Sequence, residues 1–260
     1  MRQNILPRLA LVASACIAST AVLADPPKTD GLWRGDAGAA FSAQSGNTTA
    51  SALLLHGDVA ALTEIDKISL GGNYNYGRSK VNGVSTTTSD KWNGYGEYDY
   101  NLSPSLFTFG KVGFEGDKIA NLSLRSSLGA GLGYKVINTK ETQFNLYAGV
   151  GYSTDKYSVN QTVGNRTSET FSRASVFLAE ESSHVLSSST TFKQRLELTP
   201  GVSGDKAMLT KFTAGLAVAM SSTLSLSVGI VDTNNSKPPA GLKSNDLGIF
   251  TGINVKLGAN

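Results

Sequence analysis

Between Asn121 and Ile137 the chain alternates in steps of two. Its even positions are Leu122, Leu124, Ser126, Leu128, Ala130, Leu132, Tyr134 and Val136, an essentially apolar row. Its odd positions, Ser123, Arg125, Ser127, Gly129, Gly131, Gly133 and Lys135, are small or cationic. A period of two belongs to an extended strand whose side chains point alternately into two environments. The run is much longer than the roughly 5–6 residues of an average soluble strand. It suits a strand crossing a bilayer, with the leucine row in lipid and the Ser/Gly/Arg row in a lumen. Placing Arg125 on the lipid side would cost about 2–4 kcal/mol near the midplane, which settles the register.

Similar alternation recurs about twelve times, over 31–43, 48–62, 65–79, 88–102, 105–118, 121–137, 142–158, 168–183, 189–200, 205–220, 223–234 and 245–257. The expected fold is all-β: a single antiparallel transmembrane β-barrel of about 12 strands, with short periplasmic turns and longer extracellular loops. Short links such as Thr63-Glu64, Ser103-Pro104 and Ser221-Ser222 alternate with long polar stretches at Ser79–Thr87, Asn160–Thr167 and Asp232–Lys243. That segregation of short and long connections onto two rims is the outer-membrane pattern. Aromatics on the apolar rows fall near strand ends. Trp33, Tyr98, Tyr100, Tyr134 and Phe144 lie toward the short-turn rim, and Phe41, Tyr74, Tyr76, Trp92, Phe114 and Tyr152 toward the loop rim, as two interfacial girdles would require. No run approaches the roughly 20 apolar residues of a membrane helix.

The first residues read as a secretory signal. Arg2 and Arg8 precede an apolar run from Leu9 to Leu23, and Ala21-Val22-Leu23-Ala24 is an A-x-A-like cleavage site. The expected organisation is a signal peptide at 1–24, a periplasmic tail at 25–30 and an outer-membrane barrel at 31–260. Cleavage removes Cys16 and two arginines, leaving 21 Lys+Arg against 20 Asp+Glu. So balanced a chain is no nucleic-acid binder, and without cysteine it holds no disulfide or thiolate metal site. The partners expected are outer-membrane lipid and, during assembly, the barrel-insertion machinery, with the folded chain a monomer.

Thirteen charges fall on the lumen rows. Ten of them are the candidate pore or plug residues: Lys67, Glu97, Lys111, Glu115, Arg125, Arg173, Lys193, Arg195, Glu197 and Lys211. Lys91, Asp99 and Lys135 complete the set. Hairpin geometry sets Glu115 opposite Arg125, Arg173 near Glu197, and Lys193 near Lys211. One reading is a plug, in which opposite charges on neighbouring strands satisfy one another. The other is a narrow pore whose basic stripe (Lys193, Arg195, Lys211) guides small anions. A hydrolase is the reading of another class, through His56, which shares the lumen row with Asp58, or His184 in a short turn. No Gly-x-Ser-x-Gly elbow supports it, so no catalytic residue, metal site or cofactor is assigned. Gly129-Ala130-Gly131-Leu132-Gly133 lacks phosphate-loop spacing; glycines in the lumen row relieve crowding where strands bend around a barrel.

Several short motifs, in order, give a resemblance to a family. They are Ser45-Gly46-Asn47-Thr48, Tyr98-Asp99-Tyr100, Phe107, Phe109-Gly110, Asp117-Lys118, Leu122 and Arg125. Gly129-Ala130-Gly131-Leu132-Gly133-Tyr134, Gly149-Val150-Gly151-Tyr152, Lys237-Pro238-Pro239 and Gly241 follow. The chain resembles bacterial salt-induced outer-membrane proteins, the domain of unknown function four-eight-one. The resemblance implies an outer-membrane barrel and no reaction or substrate. The chain departs from the usual outer-membrane pattern at Leu257-Gly258-Ala259-Asn260, where such strands finish on an aromatic that engages the insertion machinery.

Overall fold

The computed structural model describes residues 28–44, 48–81, 83–204 and 206–258. The expected signal peptide, and Cys16 within it, lie outside the described residues, as do residues 25–27 of the expected tail. The strands are β1 (Asp30–Gln44), β2 (Thr48–Thr63), β3 (Asp66–Val81), β4 (Val84–Asn101), β5 (Leu106–Asp117), β6 (Leu122–Asn138), β7 (Thr142–Val163), β8 (Arg166–Val185), β9 (Thr190–Pro200), β10 (Met208–Ala219), β11 (Leu224–Asn235) and β12 (Asn245–Gly258). Each pairs antiparallel with its sequence neighbours, and β1 closes on β12 from Arg34↔Gly258 to Ala39↔Ile253. The result is a 12-stranded closed barrel, as the alternation predicts.

The two rows separate as expected. Leu128, Leu132, Val150, Ile249 and Ile253 are 51–71% exposed on the outer face. Trp33, Tyr98, Tyr100 and Tyr134 are exposed toward the rim that carries both ends of the barrel, here the turn rim. Phe41, Tyr74, Trp92, Phe114 and Tyr152 are exposed toward the opposite, hairpin rim. Phe144 and Tyr76 are half-buried. The girdle tyrosines bond to rim carboxylates: Tyr98 Oη donates to Asp66 at 3.1 Å and Tyr74 Oη to Asp90 at 3.3 Å. A polar interruption of the outer face lies toward the turn rim, where Gln194 Nε2 donates to Glu180 Oε1 at 3.2 Å.

Three expectations need correction. The stretches 79–87 and 160–167 are not coil: β3 and β4 pair up to Val81↔Val84, and β7 and β8 up to Val163↔Arg166. Gly83 (φ 81°) and Gly164 (φ 58°) supply the left-handed residues that such tight links demand. The long connections of the hairpin rim are 201–207, between β9 and β10, and 236–244, between β11 and β12. Leu122 leaves the lipid row: a bulge shifts the register between Leu122 and Leu124, turning Leu122 into a buried cluster with Tyr157, Val163 and Phe171. His184 lies inside β8 rather than in a turn.

The inner face is packed by placing glycine beside large side chains. Phe109 (β5) and Phe177 (β8) share one row with Gly131 and Gly149 between them, and the two rings meet at 5.7 Å over that bare backbone. Phe107 lies over Gly133 and meets Tyr147 edge-on at 5.5 Å. Phe250 lies over Gly229 and reaches Gly215, and Tyr95 crosses Gly71 to donate to Asp58 at 2.6 Å. The lumen-row glycines therefore do more than relieve strand bending: they are the floor on which rings from neighbouring strands interdigitate.

Gly133→Val forces the Phe107 ring out of this seat and is expected to cost about 1–3 kcal/mol. The urea midpoint in lipid vesicles should fall accordingly, while Gly110→Ala, where nothing stands within 4 Å of the new carbon, should leave it nearly unchanged.

Candidate functional site

A cavity of about 1060 Å³ occupies the lumen. Its lining begins at turn-rim residues, Glu64, Asn138–Glu141 and Val185, and climbs to the level of Glu115, Arg125 and Arg173. All ten candidate charges line it, with Asp99 and Lys135. Lys91 does not: it sits above, 3.7 Å from Asp117.

The upper part of the cavity follows from one row of the sheet. Read across the pairings, it runs Asn254, Gly38, His56, Asn73, Asn93, Glu115, Arg125, Asp155 and Phe171. The Asn73 and Asn93 amides bond each other reciprocally at 3.2 and 2.9 Å. Arg125 grips Asp155 with two bonds of 2.7 Å and reaches Glu115 at 3.3 Å. Arg173 approaches the same Asp155 at 3.6 Å. Asp155 is 3% exposed, so its charge depends on both arginines, and the two-pronged Arg–carboxylate pair is the strong form of such a contact. Beyond it lie the Leu122–Tyr157–Val163–Phe171 cluster and, on the other arc, Leu54, Val231 and Phe250. The 236–244 connection bends inward to the β7–β8 tip, with Pro239 buried and the Ala240 N–H donating to the Thr162 carbonyl at 3.0 Å.

A second tier of contacts narrows the cavity itself. Lys111 of β5 lies 3.9 Å from Glu197 of β9, a contact that crosses between non-adjacent strands. Arg195 bonds Glu181 at 2.6 Å and Glu197 at 2.8 Å, and Lys67 lies 3.3 Å from Asp99. The cations also lie over the aromatic floor: Lys111 Nζ is 3.5 Å from the Phe177 ring centre and the Arg195 guanidinium 4.9 Å from that of Tyr147.

The sheet pairs Glu115 with Arg125, as hairpin geometry predicts. It does not bring Arg173 to Glu197, because β8 continues to Val185 and turns over 186–189, which sets Glu197 opposite Ala179. Nor does it bring Lys193 to Lys211. The 201–207 connection places Lys211 opposite Glu197 and Lys193 opposite Gly215. Sequence reasoning passed over Asp36, Tyr95, Tyr147, Asp155, Phe250 and Asn254. Parity alone would have put Asp155 and Tyr147 in the lumen, since both share the odd row of β7 with Gly149 and Gly151. His56 faces inward with Nε2 3.4 Å from Asp36, while His184 stacks on Phe192 and does not line the cavity. Among the described residues, no three His, Cys, Asp or Glu side chains are grouped to hold a metal ion.

With this geometry in view, the chain can be set beside known proteins. An outer membrane channel from Pseudomonas putida F1 is 10% identical, covers 90% of this chain and 97% of its own, and superposes with a TM-score of 0.50, a likeness of fold. The NanC porin is 12% identical over 87% of this chain and 97% of its own, with a TM-score of 0.46. Uncharacterized protein YdiY of Escherichia coli (strain K12) is 28% identical over 139 residues, 54% of each chain, so the chain spans about half the length of that curated relative. The family described as "Protein of unknown function, DUF481" matches residues 37–257, nearly the whole barrel, and this chain belongs to it.

Proposed function

We propose that this chain is an integral barrel of the bacterial outer membrane whose lumen is a cup open toward the periplasm and closed on the outside by its own side chains. It acts as an envelope protein with no catalytic step. Its outer belt of half-exposed leucines, valines and isoleucines between two aromatic girdles is what hydrocarbon solvates. An even number of strands keeps both barrel ends at the turn rim, the periplasmic rim by outer-membrane convention. The location, the cleaved signal at 1–24, assembly by the insertion machinery and a monomeric state are parts of this proposal.

The observation that carries the closed-lumen reading is the Arg125–Asp155–Arg173 group with Glu115. Four charged side chains from β5, β6, β7 and β8 meet at the top of the cavity, and a ring cluster stands beyond them. A second reading, a narrow pore for small anions, is favoured by the basic stripe Lys193, Arg195 and Lys211 on the cavity wall.

Two measurements check this. The unboiled, folded barrel should migrate faster than the boiled chain on a denaturing gel; identical bands would count against a closed membrane barrel. In planar bilayers the purified wild-type protein should give no ion steps, whereas Asp155→Asn, which strips the roof of its shared carboxylate charge, should give them. Sustained steps from the wild type would reject the closed lumen in favour of the pore.

A further inference from the structure

The outer face of β3 changes character toward its hairpin end. Ile68, Leu70 and Tyr74 are 37–47% exposed on that face, and Tyr76, Arg78 and Lys80 continue the same row. The register with β2 is unbroken there, Leu53↔Tyr76 leading to Ser51↔Arg78, so both cations stand on the outward side of the wall. At the rise of a strand, Arg78 lies about 7 Å beyond Tyr76. An aromatic girdle marks the headgroup level of a bilayer, and long cationic side chains just beyond it reach the charged layer.

These cations line a surface cleft of about 370 Å³, together with Ser51, Ser79, Gly83 and Ser85. Arg78 Nε donates to Ser85 Oγ at 2.7 Å, which orients the guanidinium and leaves its two terminal amino groups for another acceptor. Lys80 lies opposite Ser85 in the register. Gly83 leaves the tip open: nothing stands within 4 Å of where its Cβ would be. Among the described residues no carboxylate pairs with Arg78 or Lys80. Asp90, opposite Tyr76, is already engaged by Lys118 at 2.8 Å and by the Tyr74 hydroxyl at 3.3 Å. The cleft thus gathers two positive charges and three hydroxyls with no anion among them.

We propose that this cleft seats the phosphate of an outer-leaflet lipid, held by the Arg78 fork and the Lys80 ammonium with serine hydroxyls beside them. A planar guanidinium with two free amino groups matches a phosphate in two-pronged fashion. The acyl chains then lie down the exposed face of Leu55, Leu70 and Tyr74, an apolar surface that a soluble anion would not use. The inference rests on the outer-membrane reading, which turns the hairpin rim toward the outer leaflet.

The test is titration of the refolded full barrel in a non-ionic maltoside detergent with dihexanoyl phosphatidate, read by calorimetry. Dihexanoyl phosphatidylcholine, whose choline masks the phosphate charge, and inorganic phosphate are the controls. Phosphatidate should bind saturably and about tenfold more tightly than either. Arg78→Gln and Lys80→Gln, each verified as folded by its heat-shifted gel band, should each weaken it about tenfold. Lys156→Gln, which removes an exposed cation of the same rim outside the cleft, should leave it unchanged. Equal affinity for phosphatidylcholine, or an equal loss in Lys156→Gln, would overturn the proposal in favour of unspecific attraction. Equal affinity for inorganic phosphate would overturn the lipid as occupant. A heat-shifted barrel that ignores phosphatidate would reject the cleft and leave the membrane barrel standing, whereas identical boiled and unboiled bands would reject the membrane barrel and this seat with it.

Discussion

Every backbone donor in a membrane-crossing strand must find its acceptor in a neighbouring strand, because hydrocarbon offers none. The β1–β12 seam meets that demand for the whole ring. It is short, running from Arg34↔Gly258 to Ala39↔Ile253, whereas β1 and β2 pair from Asp30 to Gln44. Without it two strand edges would lie open, and the lengths of the other pairings would count for nothing. Closure also creates an interior, and the rest of the structure answers the question of what fills it.

Two kinds of filling are used. Rings from separate strands are brought together over glycine: Phe109 with Phe177 across Gly131 and Gly149, and Phe107 with Tyr147 across Gly133. Charges are gathered in opposite pairs and triads: Arg125 and Arg173 on Asp155, Arg195 on Glu181 and Glu197. Removing Arg173 or Asp155, both buried, strands its partner, at a cost of about 3–5 kcal/mol. The two fillings meet where Lys111 and Arg195 lie over the aromatic faces, so the polar and apolar parts of the interior form one continuous partition.

The glycine rows show how a residue type can carry two meanings at once. Gly129, Gly131 and Gly133 stand on the lumen side because the register of β6 puts them there. The space at Gly131 and Gly133 is then taken by rings belonging to β5, β7 and β8, and that at Gly129 by the Lys111 side chain. Loops follow the same logic of space. The 236–244 connection, with Pro239 buried and Ala240 bonded to Thr162, occupies the mouth that the taller β7–β8 hairpin leaves beside it.

The sequence by itself determined the strand count, the two-sided wall and the inward placement of all ten candidate charges, because a period of two is a local property of each segment. It also determined Glu115 opposite Arg125, since the turn between β5 and β6 is short enough to propagate the register. Only the tertiary structure decided the partners of Arg173, Lys193, Glu197 and Lys211, because the turn at 186–189 and the connection at 201–207 slide one strand past the next without changing either pattern. It alone decided that Asp155 joins two arginines and that Asp36, His56 and Asn254 stand together. Those meetings depend on closure and on the stagger of the rows around the ring, which no single segment encodes.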